Sequence, residues 1–352
     1  MNNGNVVLED IPEIPQQIVD DLNQFQNIRG AALEGWLSNG QSLYIRTRFA
    51  DVLQLHRVDM PGGARNQLTY LPEPIGSTTL QPGGDQLAFL MDAGGNENAQ
   101  VFLLDPQTAT HRMVSDGSSR NGSVVWHPDG RRIACQSTRR NGRSNDVWLL
   151  DPTSGNEDRM VLESPDGTWW GPVEFDDAGT HLLVQQYVSV TDSRIHLVNV
   201  ENGERQLLLG SADSPSRNLL SETAFSPDGE GFYFVTDRQG DFAQLAYYEL
   251  ASRQVRSISG GIAWDVEDVT LSPDGRRAAF VVNAGGVSKL YLLDTSSQEY
   301  REVHGLPVGV IGSLKFSPVR SGMADRLALT LSTSRTPSDV YVLELGEAAT
   351  AT

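Results

Sequence analysis

A five-residue turn phrase recurs along this chain of 352 residues. It reads Phe-Ser-Pro-Asp-Gly at 225–229, Leu-Ser-Pro-Asp-Gly at 271–275 and Trp-His-Pro-Asp-Gly at 126–130. Proline presets φ at the second turn position, aspartate is tolerated at the third, and glycine supplies the positive φ with which the chain leaves the turn. Each phrase therefore predicts a β-hairpin turn that follows the end of a strand, and its aspartate is interpreted as structural.

Aligned on the apolar residue before each turn, the chain divides into seven repeats. In each repeat a short apolar run such as AAFVV follows the turn, then a polar loop and a second run, and six repeats add a third run. Four strands per repeat, apolar at successive positions, indicate sheets that are buried on both faces. The sequence therefore predicts an all-β fold, a seven-bladed β-propeller of four-stranded antiparallel blades. The apolar residues that mark the blades are Trp36, Leu80, Trp126, Phe175, Phe225, Leu271 and Phe316.

The two ends of the chain differ from the repeats. The propeller is predicted to span 31–345 after an N-terminal extension, 1–30, in which residues 14–27 show helical spacing. Blade seven ends at DVYVLEL, and the residues that follow do not have the sequence of an outer fourth strand. Residues 346–352 are expected to be disordered. Because an unpaired sheet edge is usually covered, either Asn5–Glu9 folds back as the fourth strand or the chain has been cut from a longer one.

Composition limits the classes of partner. The formal net charge of −18 argues against nucleic acid and against anionic membrane surfaces. One cysteine, Cys135, rules out an internal disulfide. The N-terminus lacks the features of a signal peptide and no stretch is long and apolar enough to span a membrane, so a cytoplasmic location is expected. The six histidines fall in no metal-binding spacing, and neither a metal nor another cofactor is expected, although ligands scattered one per blade would escape this search.

The first-blade text, TRF…QLHRVDMPGGAR…LT, and the later stretches MDAGGNENAQVFLLD and STRRNGRSNDVWLLDP carry a resemblance. They resemble the N-terminal propeller of bacterial prolyl-oligopeptidase-family serine peptidases of the acylaminoacyl-peptidase and dipeptidyl-peptidase-like type. In that family an α/β-hydrolase domain with a Ser-Asp-His triad follows the propeller. This chain contains no Gly-x-Ser-x-Gly nucleophile motif, so no catalytic residue is assigned to it.

The resemblance implies the non-catalytic half of a peptidase, which docks on a hydrolase domain and gates the access of peptide substrates. Two alternatives remain open. One is a free-standing propeller, similar to TolB, that serves as a platform for protein–protein interaction. The other is a propeller enzyme whose metal ligands or acid–base residues are scattered around the axis, which nothing in the sequence supports.

Strand alternation predicts two unlike faces of the disc. The Pro-Asp-Gly turns lie on one face, called here the turn face, and the loops between second and third strands lie with the blade connections on the opposite one, the loop face. A full peptidase would pass its chain onto the loop face, so a hydrolase partner is expected there. These loops carry many charges, which can be interpreted in two ways. In the structural interpretation the charged side chains are solvated or form interface salt bridges, and the tryptophans pack between blades. In the functional interpretation Glu97, Asp265 or Glu267 holds a peptide's amino group, and the tryptophans contact the partner domain or a substrate side chain. The candidate residues are Arg46, Arg48, Asn96, Glu97, Trp169, Trp170, Trp264, Asp265 and Glu267.

Overall fold

The computed structural model describes residues 7–153, 158–211, 218–318, 325–346 and 350–351. They form one helix and seven four-stranded antiparallel sheets, each built from four consecutive strands. The first four blades contain the following strands. Blade one has β1 (Ala31–Trp36), β2 (Leu43–Thr47), β3 (Gln54–Val58) and β4 (Asn66–Gln67). Blade two has β5 (Thr78–Leu80), β6 (Leu87–Met91), β7 (Gln100–Asp105) and β8 (Thr110–Met113). Blade three has β9 (Asn121–Trp126), β10 (Ile133–Ser137), β11 (Asp146–Leu150) and β12 (Arg159–Leu162). Blade four has β13 (Trp169–Phe175), β14 (His181–Ser189), β15 (Asp192–Asn199) and β16 (Arg205–Leu209).

The remaining three blades repeat the arrangement. Blade five has β17 (Leu220–Phe225), β18 (Gly231–Thr236), β19 (Gln244–Glu249) and β20 (Gln254–Ser257). Blade six has β21 (Asp265–Leu271), β22 (Arg277–Asn283), β23 (Ser288–Asp294) and β24 (Tyr300–Glu302). Blade seven has β25 (Gly309–Phe316), β26 (Arg326–Thr333), β27 (Asp339–Glu344) and β28 (Thr350–Ala351).

The first strand of every blade contacts the first strand of the next, and β25 contacts β1, so the seven first strands surround a central tunnel. This confirms the predicted seven-bladed propeller. The second strands are apolar on both faces, as the sequence indicated: all six residues of β18 are buried, and five consecutive residues of β22 are. Apolar clusters therefore lie between neighbouring blades, such as the one in which Tyr233 and Leu245 of blade five meet Val269 and Phe280 of blade six. Each fully buried side chain of this size contributes about 1.5–3 kcal/mol to folding.

The turn phrases form the predicted tight turns. In blade five the N–H of Gly229 donates to the Ser226 carbonyl at 2.8 Å, and Gly229 has a φ of 73°. Asp228 accepts hydrogen bonds from the Ser226 hydroxyl at 2.5 Å and from the N–H of Glu230 at 2.9 Å. The aspartate of the phrase thus holds the turn together, and its structural interpretation is confirmed.

Turn glycines also form close contacts between blades. A Cβ on Gly275, in the turn of blade six, would lie 2.5 Å from Cγ of Pro227 in the turn of blade five. A Cβ on Gly130 in blade three would lie 3.1 Å from the carbonyl of Pro82 in blade two. In these two blades the turn phrase therefore serves a second purpose, because its glycine leaves space for the preceding turn.

The ring closes between blades one and seven without any shared strand. The N–H of Leu33 donates to the Thr330 hydroxyl at 2.8 Å, and the Ser313 hydroxyl donates to the Leu33 carbonyl at 2.9 Å. The indole Nε1 of Trp36 donates to the Lys315 carbonyl at 2.9 Å. Beneath these bonds, apolar side chains of blade one pack on Ala328. This seam (the contact of β1 with β25 and β26) is therefore held by side-chain hydrogen bonds and packing, to which the N–H of Ala31 adds one backbone bond, to the Ser338 carbonyl of blade seven at 2.7 Å.

The chain ends bring one confirmation and one difference. The predicted helical segment forms α1 (Gln16–Gln26), none of whose residues is buried. Thr350–Ala351 pairs with Leu343 and Glu344 as a short fourth strand of blade seven, which differs from the disorder expected there, while residues 347–349 and 352 lie outside the described part. The alternative strand Asn5–Glu9 falls partly outside it too, and its described residues 7–9 form no strand.

Two glycine substitutions test the packing of adjacent turns. Gly275→Ala and Gly229→Ala both place a side chain at positive φ, which costs about 1–2 kcal/mol. Only Gly275→Ala also meets the Pro227 ring, since a Cβ on Gly229 has nothing within 4 Å. We expect Gly275→Ala to lower the free energy of unfolding by about 1–3 kcal/mol more than Gly229→Ala does, as measured by chemical denaturation. Equal losses would show that the turns do not pack as described.

Candidate functional surface

Within the propeller, the loop face carries most of the exposed large apolar side chains. On the turn face, by contrast, Met60 is the one such side chain among the described residues. Val190 is 71% exposed, Val308 is 74% exposed and Trp264 is 47% exposed. Exposed apolar residues gathered on one face mark an interaction surface, whereas the same residues scattered singly would need no explanation. The loop-face set comprises Phe49, Leu53, Tyr187, Val188, Val190, Trp264, Val308 and Val310.

The helix adds a second apolar surface to this end of the molecule, because β1 begins at the loop face. Its residues Ile18, Leu22 and Phe25 lie on one stripe at spacings of four and three, and all are exposed. The side chain of Arg48 donates a hydrogen bond to the Gln26 carbonyl, which ties the helix end to blade one. This candidate residue thus serves to position the N-terminal extension.

Arg46 is a brace between two blades. Its Nε lies 3.0 Å from a carboxylate oxygen of Glu34, and its Nη1 donates to the carbonyls of Ile75 at 2.9 Å and Gly76 at 2.6 Å. The residue belongs to β2 rather than to the following loop, and its polar contacts hold blade one against the connection to blade two. The structure therefore supports the structural interpretation of Arg46.

The loop of blade two presents Glu97 to solvent. Its N–H donates to Asp92 Oδ2 at 2.9 Å, and the residue has a φ of 60°, which is uncommon outside glycine. The side-chain oxygen of Asn96 accepts from the N–H of Asn98 at 2.9 Å. Asp92 and Asn96 thus shape the loop, and the exposed Glu97 carboxylate remains available for a ligand.

The paired tryptophans of blade four differ in exposure. Trp170 is 2% exposed, donates from Nε1 to Asp166 at 2.9 Å and stacks under the Arg205 guanidinium, 5.2 Å from its ring centroid. Trp170 therefore packs within the blades, as its structural interpretation held. Trp169 is partly buried, and its ring covers Gly171.

The candidates of blade six lie at the start of β21, on the loop face. Trp264 packs on Phe242 with ring centroids 6.4 Å apart. Asp265 accepts from the N–H of Ala243 at 2.7 Å, and Glu267 accepts from Nδ2 of Asn283 at 2.7 Å. Of all the predicted site residues, these three are the ones that the fold places together, and they combine a half-exposed aromatic ring with two carboxylates.

Sequence reasoning missed a set of charged residues on the first strands. Six first strands carry a β-bulge or register shift, and several of these charges lie at or beside one. Glu222 lies in such a bulge with a φ of 48°, and bulges turn a side chain away from the regular alternation. One signal was present in the sequence: a charged residue one to three positions before the aligned apolar residue. The set, called here the tunnel cluster, comprises Glu34, Glu174, Glu222, Asp268 and Lys315.

Burial shifts the tunnel carboxylates toward their neutral forms. It raises the pKa of Glu174 to about 7, although the N–H of Phe225 donates to this carboxylate at 2.6 Å. Burial, together with the nearby charge of Asp268, also raises the pKa of Glu222 to about 7. The pKa values of Glu34 and Asp268 are raised by burial as well, and the positive charge of Lys315 opposes all four shifts.

Within the described ranges, no group of three or more His, Cys, Asp and Glu side chains is arranged to hold a metal ion. In the same part of the chain, no helix has the length and hydropathy needed to cross a membrane.

The fold defines the class of protein, a seven-bladed β-propeller, and comparison with known proteins gives the family. The family described as "Dipeptidyl peptidase IV (DPP IV) N-terminal region" matches residues 93–337. Since this is more than half of the chain, the chain belongs to that family. The resemblance to the propellers of prolyl-oligopeptidase-family peptidases is thereby confirmed.

Individual relatives are distant. The chain is 23% identical over 209 residues to the uncharacterized peptidase YuxL of Bacillus subtilis (strain 168), an alignment that covers 57% of this chain and 28% of YuxL. Prolyl oligopeptidase B from Galerina marginata matches 96% of this chain with a TM-score of 0.74 and 12% identity. The match covers 51% of that structure, so the chain spans about half of it. An oligogalacturonate lyase solved with manganese shares the fold over 91% of both chains, at 13% identity and a TM-score of 0.68.

The raised pKa of Glu174 predicts a pH dependence of stability. Between pH 4.5 and 7 the folded state binds more protons at this group than the unfolded state does, so the group's contribution falls as pH rises, by about 2–3 kcal/mol in total. Glu174→Gln keeps an acceptor for the Phe225 N–H and removes the ionisation. We expect the variant to be more stable than the wild type at pH 8 and no more stable at pH 5, by urea denaturation. The same difference at both pH values would contradict the shift.

Proposed function

We propose that this chain is the non-catalytic propeller of a serine peptidase, which docks through its loop face on an α/β-hydrolase domain and restricts the entry of peptide substrates. The observation that carries the proposal is the gathering of exposed apolar side chains on the loop face, against Met60 alone among the described residues of the turn face. Family membership supports the peptidase context, and the solved prolyl oligopeptidase is about twice as long as this chain. A cytoplasmic location remains a prediction.

The direction of the chain supports the same face for docking. The fourth strand of blade seven runs antiparallel to β27, and therefore from the turn face toward the loop face. The N-terminal helix is tied to that face as well, by the hydrogen bond from Arg48 to the Gln26 carbonyl. A domain attached at either end would thus meet the apolar residues of the loop face without having to cross the disc.

The tunnel supports gating. A cleft of about 650 Å³ lies at its turn-face mouth and is lined by Glu34, Thr78, Pro273 and Lys315, among others. A space of this volume would accommodate a short extended segment and not a folded domain. Access through this opening would select substrates by size before they reach a hydrolase domain on the other side.

Hydrogen exchange on the complete natural protein tests the docking. Peptides that contain Phe49, Tyr187 or Trp264 should exchange at least about tenfold more slowly in a protein that joins this chain to a hydrolase domain than in residues 1–352 alone, because docking excludes water from them. The peptide around Met60 on the turn face is the matched control and should not change. Protection of the turn face instead, or a reading frame that does not encode a hydrolase domain, would refute the proposal.

Two carboxylates test substrate selection on the same face. Glu97→Gln and Glu267→Gln should each reduce the ratio of kcat/KM for peptides with free amino termini to that for blocked ones, by about 3–30-fold if the carboxylate pairs with the ammonium group. Glu230→Gln, in the turn of blade five, is a control of equal chemistry on the opposite face. Unchanged ratios in both loop-face variants would remove the carboxylates from substrate selection without affecting the docking proposal.

A further inference from the structure

A cleft of about 390 Å³ lies between blades one and seven, beside the seam. It is called here the seam cleft, and its volume falls within the range of small-molecule pockets, about 300–1,000 Å³. One wall is formed by the first three strands of blade one and the other by β26 and β27 of blade seven. The apolar residues that line it are Trp36, Leu43, Ile45, Val58, Val340 and Val342.

The cleft exists because the side chains are small where the outer strands of these two blades meet. Between blades five and six, the third strands contribute the large rings of Tyr247 and Tyr291 to the apolar cluster. At the seam the third strands contribute Val58, Val340 and Val342 instead. The fourth strands beside them are short as well, since β4 and the described part of β28 have two residues each. The space that rings fill elsewhere therefore stays open here.

The mouth of the cleft carries an exposed methionine. Met60 follows β3, lines the cleft and is 64% exposed. The next residues are Pro61, Gly62 and Gly63, and a Cβ on Gly62 would meet nothing within 4 Å, so the loop is loosely packed there. Methionine is flexible and adapts to irregular apolar surfaces. An exposed methionine beside an apolar cleft is thus placed to cover a ligand that enters it.

A guanidinium group marks the turn-face end of the cleft. Arg326 lies with its Cζ 5.3 Å from the ring centroid of Trp36 and donates one hydrogen bond to a backbone carbonyl. Within the described part of the chain it forms no ion pair, and Glu344, which faces it across the β26–β27 pair, is exposed. At the other end, Arg65 is already paired with Asp339 at 3.3 Å. A carboxylate is therefore the group that complements the Arg326 end.

We propose that the seam cleft is a binding site for an aliphatic carboxylate, whose hydrocarbon chain lies on the apolar side chains and whose carboxylate pairs with Arg326. The one hydrogen-bonding group among those side chains, Nε1 of Trp36, already donates to the Lys315 carbonyl. A peptide on this surface would bury amide groups without partners, whereas a hydrocarbon chain has none to satisfy. Because the ligand contacts both blades, its binding stabilises the seam by mass action. The proposal does not depend on a hydrolase partner.

A methyl NMR titration of residues 1–352 with decanoate, below its micelle-forming concentration, tests the site. The Ile45 methyl resonance should shift and saturate with a dissociation constant below about 1 mM. Butanoate should bind at least about tenfold more weakly, because it buries fewer methylene groups. The methyl groups of Val190 and Val308 on the loop face are the internal control. Saturable shifts confined to these two, or an Ile45 resonance that decanoate does not move, would overturn the proposal.

Substitutions of the arginine separate charge from packing. Arg326→Gln should weaken decanoate binding about tenfold or more and change the binding of 1-octanol, an uncharged probe, less than about twofold. Arg326→Lys should retain most of the affinity for decanoate, and Glu344→Gln should increase it by removing a nearby negative charge. Arg256→Gln is the matched control, since Arg256 also lies over an aromatic ring, that of Tyr247. Equal losses for both probes in Arg326→Gln would refute the pairing of the carboxylate with this residue.

Filling the cleft tests its location. Val340→Phe should abolish the Ile45 shift with both probes, because the ring occupies the space of the chain. Hydrogen exchange of the wild type keeps the test open should this variant not fold. Decanoate at ten times its dissociation constant should slow seam peptides that contain Leu33 or Leu331 by at least about fivefold, and leave the core peptide 133–137 of blade three unchanged. Seam peptides that exchange at the same rate with and without decanoate would contradict a ligand that joins the two blades.

Discussion

Each sheet of this protein is apolar on both faces, and the rest of the structure depends on that constraint. A strand such as β18, in which every residue is buried, cannot expose one side of its sheet to water without losing several kilocalories per mole. Each blade therefore needs a neighbour on both sides. A row of such blades has two unsatisfied ends, and only a closed ring removes both of them.

Closure of the ring depends on the packing at two places. The first is the seam between blades one and seven. No strand is shared there, and hydrogen bonds that involve the side chains of Trp36 and Thr330 help to join the two blades. The second is the axis, where seven first strands approach one another and the regular alternation of side chains is interrupted by bulges. Carboxylates that would be solvated on an outer strand are enclosed there, and burial raises the pKa values of Glu174 and Glu222 to about 7.

The fold was predictable from sequence because its signals are local. A Pro-Asp-Gly phrase specifies a turn through the φ preferences of three residues, and seven such phrases at nearly constant spacing specify the number of blades. The site was predictable only in part. Trp170 and Trp264 are the same residue type near the start of a first strand, yet Trp170 lies within β13 and is interior, whereas Trp264 precedes β21 and is half-exposed. Asp166 and Arg205 contact only Trp170. The tunnel cluster was missed because its members are far apart in sequence and meet only when the ring is closed.

The two faces of the disc follow from the same topology and have acquired different chemistry. The turn face is made of tight turns, and in several of them the glycine packs against the preceding turn, as Gly275 does on Pro227, so contacts between blades restrict its shape. The loops of the opposite face carry no such restriction, and they hold the exposed rings of Phe49 and Trp264 and the valines of blades four and seven. A surface that must be rigid to keep the ring closed cannot easily be adapted to a partner. The structural requirement of closure therefore leaves the loop face as the one on which a partner-binding surface can develop without cost to the fold.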